Sequence, residues 1–466
     1  MKLTNYITYT LFACVFFSCK KQLDLTPPDQ IIEGAVLKDI PGVEKALTGV
    51  YAQLNGAFDN EIYASVLYSD EANLHIENNT GRGVNTYRWQ VDATNGDVGA
   101  AWAAYYFTID RANRVIAGAE KLTGANTQQE NLRKQIIGEA TAIRAYCHLQ
   151  LLINYSENFD GGSLAVPYMT VAAIGQPARE TVQAVFEKIN IDLTTAAGLI
   201  PASAVNNNRI TLVGVNAIKA RAALYAKDWD GAISAATAAI NAVALASKTA
   251  YPLIWTDNSE SEVIFKTKRV AGQARIGDLF YDRSQEKIMY AVAYEMLDAF
   301  DEVNDIRYAS TVLSRSTTED RFSIAKYIGG DAQQPGRADV KNFRTAEMYL
   351  IRAEAYAEKT GQLGLGINDL NTLRSARING YTNATFTTKE ALIEAILLER
   401  YKELAFEGQR MSDLRRHKLP VTRIAEDVTN ALGAVTLAIT AKEYYYPIPN
   451  DEMQANNNMI QNPTYR

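Results

Sequence analysis

Pairs of alanine-rich helices constrain the fold of this chain more than any other feature of its sequence. Between residues 212 and 243, two helical patterns carry small apolar residues at intervals of three and four, and the short segment 227–230 joins them. The same arrangement returns at 343–377 across a glycine-containing connection. Small side chains on facing sides let two antiparallel helices approach closely, and such hairpins bury a core by stacking on one another. The sequence therefore predicts a mainly α fold built on tetratricopeptide-like helix hairpins.

Two long stretches interrupt this helical pattern, and we call them the first and second excursions. The first covers about 61–95 and carries several glycine and asparagine residues. The second covers about 252–340 and combines short apolar runs with tyrosines around one predicted helix near 288–300. Long loops are uncommon in a compact domain unless they serve a function. We therefore expect the helix hairpins to pack against an irregular, loop-rich lobe with a few short strands.

The first residues of the chain are typical of an export signal. Lys2 gives a short positive region, and residues 6–17 form an apolar run that is too short to cross a bilayer but suits a signal peptide. Cys19 follows the small residue Ser18, and polar residues begin directly after it. This is the pattern of a bacterial lipoprotein, in which the cysteine thiol takes a diacylglycerol and acyl chains such as palmitate hold the protein on a membrane.

This interpretation divides the chain into three parts. They are a signal peptide at 1–18, an extended tether at 19–40 that contains two consecutive prolines, and an α domain at 41–466 that includes both excursions. Cys14 is an alternative lipidation site, because a leucine stands three residues before it and none stands there before Cys19. Cleavage at Cys14 would shorten the apolar run, so we favour Cys19. An ordinary cleaved signal with an incidental cysteine is a further alternative.

The charge and cysteine content of the chain limit its partners and its means of stabilisation. The formal net charge is −6, and no basic stripe is present, which argues against nucleic acid and leans mildly away from polyanionic substrates. Once Cys14 and Cys19 are assigned to N-terminal processing, Cys147 is the one cysteine left and cannot form an internal disulfide. A large core must therefore stabilise the exported chain.

Residues that could suggest catalysis have a structural explanation. Glu399 and Glu403 lie one helical turn apart in a charged helix predicted at 390–416, a spacing that would suit paired catalytic carboxylates. Arginines in the same stretch would keep both carboxylates ionised, which suits ion pairs and not acid catalysis. The three histidines of the chain are His75, His148 and His417. None has the spacing of metal ligands, and no phosphate-binding loop, nucleophile elbow or zinc motif is present. We predict no enzymatic activity, no metal and no cofactor.

Several separate motifs occur in order along the chain. They are the opening Cys19…Leu23-Asp24, Trp102, Tyr105 and Asn113 of an early helix, the element Asp305-Ile306-Arg307, and the segments 344–356, 370–374, 399–410, 413–416 and 446–449. Together they resemble the motifs of the SusD/RagB family over essentially the whole mature chain. The resemblance implies a lipoprotein of the outer-membrane surface that caps a TonB-dependent, SusC-like barrel. It also implies that the lipoprotein binds a nutrient, usually a glycan and in some members a peptide, and closes it into the barrel without covalent chemistry.

Aromatic residues of the two excursions are the candidates for contact with such a ligand. An aromatic face stacks on the apolar face of a sugar ring, and nearby polar groups bind its hydroxyls. The predicted ligand-binding residues are Asp70, Arg82, Tyr87 and Trp89 of the first excursion, facing Tyr281 and Tyr327 of the second. Trp89 is an equal candidate for a core anchor, and we expect Trp102 and Trp229 in the core.

Three hypotheses for function follow. The first is a binding lipoprotein of the outer membrane, facing the cell exterior, which delivers a glycan, or alternatively a peptide, to a SusC-like transporter. The second is an exported glycoside hydrolase, which would need two opposed carboxylates in a cleft. The third is a scaffold whose main partner is the barrel, because helix arrays often bind proteins.

Overall fold

The computed structural model describes residues 36–466, so the predicted signal peptide, Cys14, Cys19 and nearly all of the tether lie outside the described residues. The helices are α1 (Ile40–Tyr68), α2 (Val84–Tyr87), α3 (Gly96–Glu120), α4 (Thr127–Tyr155), α5 (Val182–Leu199), α6 (Leu212–Ala226), α7 (Trp229–Ala242), α8 (Tyr251–Trp255), α9 (Tyr294–Ala299), α10 (Tyr308–Thr311), α11 (Thr345–Glu358), α12 (Leu363–Ser375), α13 (Lys389–Glu403), α14 (Arg410–Arg416) and α15 (Asn450–Ala455). The strands are β1 (Ala72–Leu74), β2 (Val263–Thr267), β3 (Tyr281–Asp282), β4 (Lys287–Ile288), β5 (Tyr290–Val292), β6 (Val312–Ser314), β7 (Phe322–Ile324), β8 (Val340–Arg344), β9 (Val421–Thr422) and β10 (Thr436–Leu437). The predicted mainly α fold with a few short strands is confirmed. Across residues 36–466 no helix has the length and apolar character that crossing a bilayer requires.

The predicted helix hairpins are present and stack on one another. Helices α6 and α7 are joined through Lys227, which takes a left-handed conformation with φ of 57°, and Asp228 caps the start of α7. Helices α11 and α12 approach so closely that a Cβ atom on Gly366 would lie 2.6 Å from the carbonyl oxygen of Ala353. Helix α11 also packs on α7 and on α13, so the two hairpins share one stack.

Helix α1 is longer than the sequence predicts. The side chain of Asp39 caps its first turn by accepting a backbone N–H at 2.8 Å. The helix then continues to Tyr68. The prediction that the first excursion begins at 61 is therefore wrong, because residues 61–68 form the last two turns of α1. The apolar residues of these turns are buried, and Glu61 is buried among them, where it accepts a hydrogen bond from the hydroxyl of Tyr105. The first excursion therefore begins after Tyr68.

A four-stranded sheet with the order β1-β5-β7-β6 joins the two excursions, because β1 belongs to the first and the other strands to the second. Strands β1 and β5 are antiparallel, with Ala72 opposite Val292 and Leu74 opposite Tyr290. The helix predicted near 288–300 begins only with α9, because the buried residues before it form β5. A short apolar run fits a strand as well as a helix, and pairing with β1 decides between them here. Three two-stranded sheets, β2-β8, β3-β4 and β9-β10, complete the strands of the described chain.

The charged helix predicted at 390–416 is two helices. Helix α13 ends before Phe406 and Gly408, whose φ angles of 63° and 81° are left-handed, and α14 follows. Phe406 is buried, and its N–H donates to a carboxylate oxygen of Glu71 at 2.7 Å. In a continuous helix this N–H would be used within the helix, so the buried carboxyl of Glu71 takes the place of the helical partner.

Glu399 and Glu403 are fully buried and ion-paired, as the sequence predicts. Glu399 accepts from Arg307 at 2.6 Å. Glu403 accepts from three arginines, Arg307 at 3.1 Å, Arg344 at 2.7 Å and Arg377 at 3.1 Å. Burial alone would raise the pKa of both carboxyls, but the arginines outweigh it, so the pKa of Glu399 falls to about 2 and the pKa of Glu403 lies well below its usual range. The two carboxylates tie α13 to β8 and to the Asp305-Ile306-Arg307 element.

Two adjacent buried residues of α4, Cys147 and His148, are neutral. The Nδ1 atom of His148 donates to the carbonyl oxygen of Arg144 at 2.9 Å, and its Nε2 atom accepts the N–H of Met169 at 2.9 Å. Burial lowers the pKa of His148 to about 3 and raises the pKa of its neighbour Cys147 well above the usual range. Within the described part of the chain, no group of three His, Cys, Asp or Glu side chains is placed to hold a metal ion.

Candidate ligand-binding site

The two excursions meet on one face of the loop-rich lobe. The guanidinium group of Arg82, in the first excursion, donates to the carbonyl oxygen of Asp278 in the second at 3.2 Å. Nearby, a carboxylate oxygen of Glu77 accepts the N–H of Ile288 at 2.7 Å. The loop that follows β1 is therefore held against the β3-β4 hairpin.

Glycine at position 83 allows this close approach. Gly83 has a left-handed φ of 70°. A Cβ atom there would lie 2.3 Å from the hydroxyl of Tyr63 and 2.6 Å from the hydroxyl of Tyr290. The Tyr290 hydroxyl donates to the carbonyl oxygen of Arg82 at 2.7 Å, which fixes the backbone that carries the Arg82 side chain.

Two arginines from separate loops lie against the ring of Tyr281. The guanidinium carbon of Arg315 lies 3.7 Å from the centroid of the Tyr281 ring, and that of Arg283 lies 5.5 Å from it. Both distances are within the range of cation–π contacts. Arg321, on the same loop as Arg315, reaches the first excursion and pairs with Glu77 at 2.9 Å. We call the surface formed by Arg82, Tyr281, Arg283, Arg315 and Arg321 the arginine face.

Two glycines hold Arg283 in place. A Cβ atom on Gly277 would lie 2.7 Å from the Nη2 atom of Arg283, and one on Gly336 would lie 2.3 Å from the same atom. Gly336 also has a left-handed φ of 85°. Because neither residue has a side chain, the guanidinium group fits between them beside Tyr281, and its Nε atom pairs with Asp278 at 2.6 Å.

Arg315 has no counter-ion in the described part of the chain, unlike Arg283 and Arg321. Its Nε atom donates to the hydroxyl of Ser323 at 2.5 Å, and no carboxylate lies within 4.0 Å of it among residues 36–466. Partial burial lowers the pKa of Arg315, whereas Tyr281 and Glu286 raise it, and the neighbouring guanidinium groups of Arg283 and Arg321 lower it further. The arginine face therefore carries two guanidinium groups, those of Arg82 and Arg315, that no ion pair balances within residues 36–466.

Two of the predicted ligand-binding tyrosines are core residues in the structure. Tyr87 is 0% exposed and Tyr327 is 2% exposed. The hydroxyl of Tyr87 donates to the carbonyl oxygen of Ala72 at 3.1 Å, and that of Tyr327 to the carbonyl oxygen of Phe406 at 2.8 Å. Backbone acceptors thus satisfy both hydroxyls in the interior, and the prediction that these side chains face a ligand disagrees with their burial.

Trp89 and Asp70 are also buried, so the structure corrects their assignment as well. The indole N–H of Trp89 donates to the carbonyl oxygen of Tyr68 at 2.9 Å, which agrees with the alternative interpretation of Trp89 as a core anchor. Asp70 pairs with Arg410 at 2.6 Å and thereby joins the end of α1 to the start of α14. Of the six predicted residues, Arg82 is exposed and Tyr281 is partly exposed, and contact of these two with a ligand stays a prediction.

Sequence patterns did not single out Arg283, Arg315 or Arg321. The second excursion holds seven arginines, and nothing in their spacing separates these three from the other four. The approach of Arg283 and Arg315 to one ring depends on the pairing of β3 with β4 and of β6 with β7, which periodicity does not reveal.

The clefts along α3 and along α13 and α14 do not include the predicted ligand-binding residues, of which Tyr327 lines a small interior cavity beside Glu61 and Tyr146. A cleft of about 810 Å³ lies along α13 and α14, where Leu397, Leu398 and Tyr401 line it below a rim of carboxylates. Two adjoining depressions of about 200 and 570 Å³ flank Trp102 and Tyr106 on α3. Trp102 is only 4% exposed, in agreement with its predicted place in the core.

The fold and the site define a helix-hairpin protein that carries its polar surface loops on a separate lobe, and comparisons with known proteins assign it to a family. Residues 23–224 match a family model described as "Starch-binding associating with outer membrane", and residues 264–465 match the model of the SusD family. The chain belongs to the SusD/RagB family.

Similar proteins agree with this assignment. The chain is 24% identical to SusD-like protein P2 of Formosa agariphila over 98% of its own length and 99% of that protein. It is 34% identical to the starch-binding protein SusD of Bacteroides thetaiotaomicron over 130 residues, which are 28% of this chain and 22% of that protein.

Solved structures show the same fold. A SusD superfamily protein from Bacteroides thetaiotaomicron superposes with a TM-score of 0.81 at 23% identity, covering 91% of this chain and all of that one. A SusD-like carbohydrate binding protein from Bacteroides vulgatus superposes with a TM-score of 0.76 at 23% identity, covering 90% of this chain and 97% of that one.

Proposed function

We propose that this protein is a cell-surface, lipid-anchored binding protein that captures a glycan and delivers it to a TonB-dependent, SusC-like transporter of the outer membrane. The observation that carries the proposal is family membership across both halves of the chain, together with a family description that names starch binding and outer-membrane association. The loops that meet at the arginine face supply an exposed surface with aromatic and hydrogen-bonding groups, which saccharide recognition requires.

The hydrolase alternative has less support. The two carboxylates that sequence spacing brings to attention, Glu399 and Glu403, are buried and bonded to arginines, so neither can reach a substrate or exchange a proton near neutral pH. A peptide ligand in place of a glycan is compatible with the same fold, and the binding experiment below distinguishes the two.

Binding without turnover is the first test. The mature chain without its acyl groups is titrated with a panel of polysaccharides and peptides, and the same mixtures are assayed for new reducing ends and new amines. We expect saturable binding of a saccharide and no product. Product formation would contradict the proposal. Binding of peptides but of no saccharide would show that the ligand is a peptide and not a glycan.

A matched pair of tyrosine variants tests the site. Tyr281 lies under Arg315 on the arginine face, whereas Tyr349 lies under Arg352 on helix α11, with 5.4 Å between the guanidinium carbon and the ring centroid. We expect Tyr281→Ala to weaken saccharide binding at least tenfold and Tyr349→Ala to leave it unchanged. Equal effects of the two variants would place the ligand elsewhere.

A matched pair of cysteine variants tests the anchor. We expect Cys19→Ser to abolish incorporation of labelled palmitate and to release the protein from the outer membrane, whereas Cys14→Ser should change neither. The reverse result would move the anchor to Cys14. The transporter is tested by isolating the lipidated protein from detergent-solubilised membranes, where a β-barrel protein should accompany it in a stable complex.

A further inference from the structure

Arg315 is a partly buried charged residue that has no ion-pair partner among residues 36–466. Charged groups that leave water are normally paired, yet this partly buried guanidinium group has only a serine hydroxyl as a hydrogen-bond partner. Its terminal nitrogens make no hydrogen bond to residues 36–466, and neither nitrogen is buried. Stacking on Tyr281 fixes the plane of the guanidinium group and leaves these two donors directed at solvent.

The acidic residues on the same loops do not supply the missing counter-ion. Asp282 is turned into its own loop, where it accepts the N–H of Ser284 at 2.9 Å. Glu286, Glu319 and Asp320 are exposed, and none of them lies within 4.0 Å of a cationic nitrogen in the part of the chain that the structure describes. Exposed charges separated by water are screened, so they compensate the partly buried Arg315 only weakly.

A second guanidinium group adds to this charge. Arg82 is exposed, and its guanidinium group donates to a neutral backbone carbonyl, that of Asp278, and lies 5.3 Å from the centroid of the Tyr63 ring. The carboxylate of Asp278 itself pairs with Arg283 at 2.6 Å. The two carboxylates that line the face, Asp278 and Glu77, are thus used by Arg283 and Arg321, while Arg82 and Arg315 have none.

We propose that the arginine face binds an anionic saccharide, a chain that bears carboxylate or sulfate groups, and that Arg315 and Arg82 contact those groups. The planar fork of an arginine matches the oxygens of a carboxylate or sulfate, and the stack on Tyr281 preorganises it. The inference rests on the proposed function and narrows its ligand. It also reverses the expectation drawn from the net charge of −6, because the local charge of the site decides which ligand binds.

The test compares acidic polysaccharides with their neutralised forms. Polygalacturonate and its carboxyl-reduced form, and a sulfated galactan and its desulfated form, are titrated into the mature chain without its acyl groups. We expect at least one acidic polymer to bind at least tenfold more tightly than its neutralised form, with affinity falling several-fold as salt rises from 50 to 500 mM. The polymer that binds distinguishes carboxylate from sulfate.

Arginine variants assign the contact to the face. Arg315→Gln should weaken binding of the acidic polymer about tenfold, and Arg315→Lys should restore part of it. Arg82→Gln repeats the test at an exposed position of the same face. The control is Arg111→Gln, because Arg111 is an exposed arginine stacked 4.3 Å from the ring centroid of Phe107 on α3. We expect this control to bind like the unsubstituted chain.

The outcomes separate the inference from the proposed function. Equal binding of acidic and neutralised polymers, or unchanged affinity in both the Arg315→Gln and Arg82→Gln variants, would contradict the proposal of an anionic ligand at this face. The proposed glycan-binding function would remain. If poly-glutamate binds and no polysaccharide does, the ligand is anionic but is not a saccharide. Absence of binding to every polymer would overturn both proposals.

Discussion

Replacing Glu403 by glutamine would remove one charge from the buried ion network while keeping the shape of the side chain. The carboxylate of Glu403 accepts from three buried arginines, and each of them keeps another carboxylate after the change. Arg307 keeps Glu399 and Asp305, Arg344 keeps Glu262 and Glu407, and Arg377 keeps Glu262. Removing one partner of a buried ion pair costs about 3–5 kcal/mol. Because the arginines retain partners, we expect the low end, about 3 kcal/mol.

Thermal unfolding measures this loss. At about 2.1 cal/mol/K per residue, the roughly 430 described residues have an unfolding entropy of about 0.9 kcal/mol/K near the midpoint, so the variant should melt about 3–4 °C lower. The control is Glu394→Gln, which removes an exposed carboxylate from the same helix and should shift the midpoint by less than about 0.5 °C. Reversibility and agreement between calorimetric and spectroscopic midpoints are needed for this conversion.

Two results would contradict a stabilising role for the buried ion network. If Glu403→Gln melts like Glu394→Gln, the buried charges contribute little and α13 is held by apolar packing. If Glu403→Gln and Arg377→Gln are strictly additive in the double variant, the two groups do not interact, although the structure places them 3.1 Å apart. We expect the double variant to be less destabilised than the sum of the single changes.

Three further predictions concern packing, pH and the corrected site residues. Gly366→Ala should destabilise the chain by about 1–3 kcal/mol, because the new methyl group meets the backbone of α11. The control Gly364→Ala, on the same helix, meets nothing within 4 Å and should stabilise the chain slightly. Denaturant titration measures both free energies of unfolding, and equal effects would contradict close packing at Gly366. His148 is neutral in the folded chain, with a pKa of about 3, so the unfolded chain takes up its proton first as the pH falls below 6.5, and stability is lost between pH 6.5 and about 3. The stability difference between the unsubstituted chain and His148→Gln should narrow over that range, and a constant difference from pH 7.5 to pH 4.5 would show that His148 does not contribute. Tyr327→Phe should cost about 1 kcal/mol and leave saccharide affinity unchanged; weaker binding with unchanged stability would return Tyr327 to the ligand site.

The local sequence pattern was sufficient to predict the helices but not the residues of the ligand-binding surface. The alanine spacing of α6, α7, α11 and α12 follows directly from the contact between paired helices, so the sequence predicts the hairpins without knowledge of the rest of the fold. The sequence also predicted that Glu399 and Glu403 pair with arginines. Their main partners, however, come from elements distant in sequence, such as Arg307 and Arg344, and not from the neighbouring arginines on which that prediction was based.

The tyrosines show why the site was harder to predict. Tyr87 and Tyr327 satisfy their hydroxyls on backbone carbonyls inside the lobe, and a tyrosine that does so has the same sequence signature as one that stacks on a sugar. Tyr281 and Arg82 differ from them only in tertiary position. The arginine face depends on three loops that converge, and each loop is unremarkable in sequence when taken alone.

The buried thiol of Cys147 makes the chain convenient for optical measurements. It is 0% exposed, and burial raises its pKa, so it resists maleimide reagents while the protein is folded. A form that begins at Lys20 contains no other cysteine. A single cysteine introduced beside Tyr281 can therefore carry a fluorophore without removal of Cys147, and the emission of that probe would report when the loops around it engage a polymer.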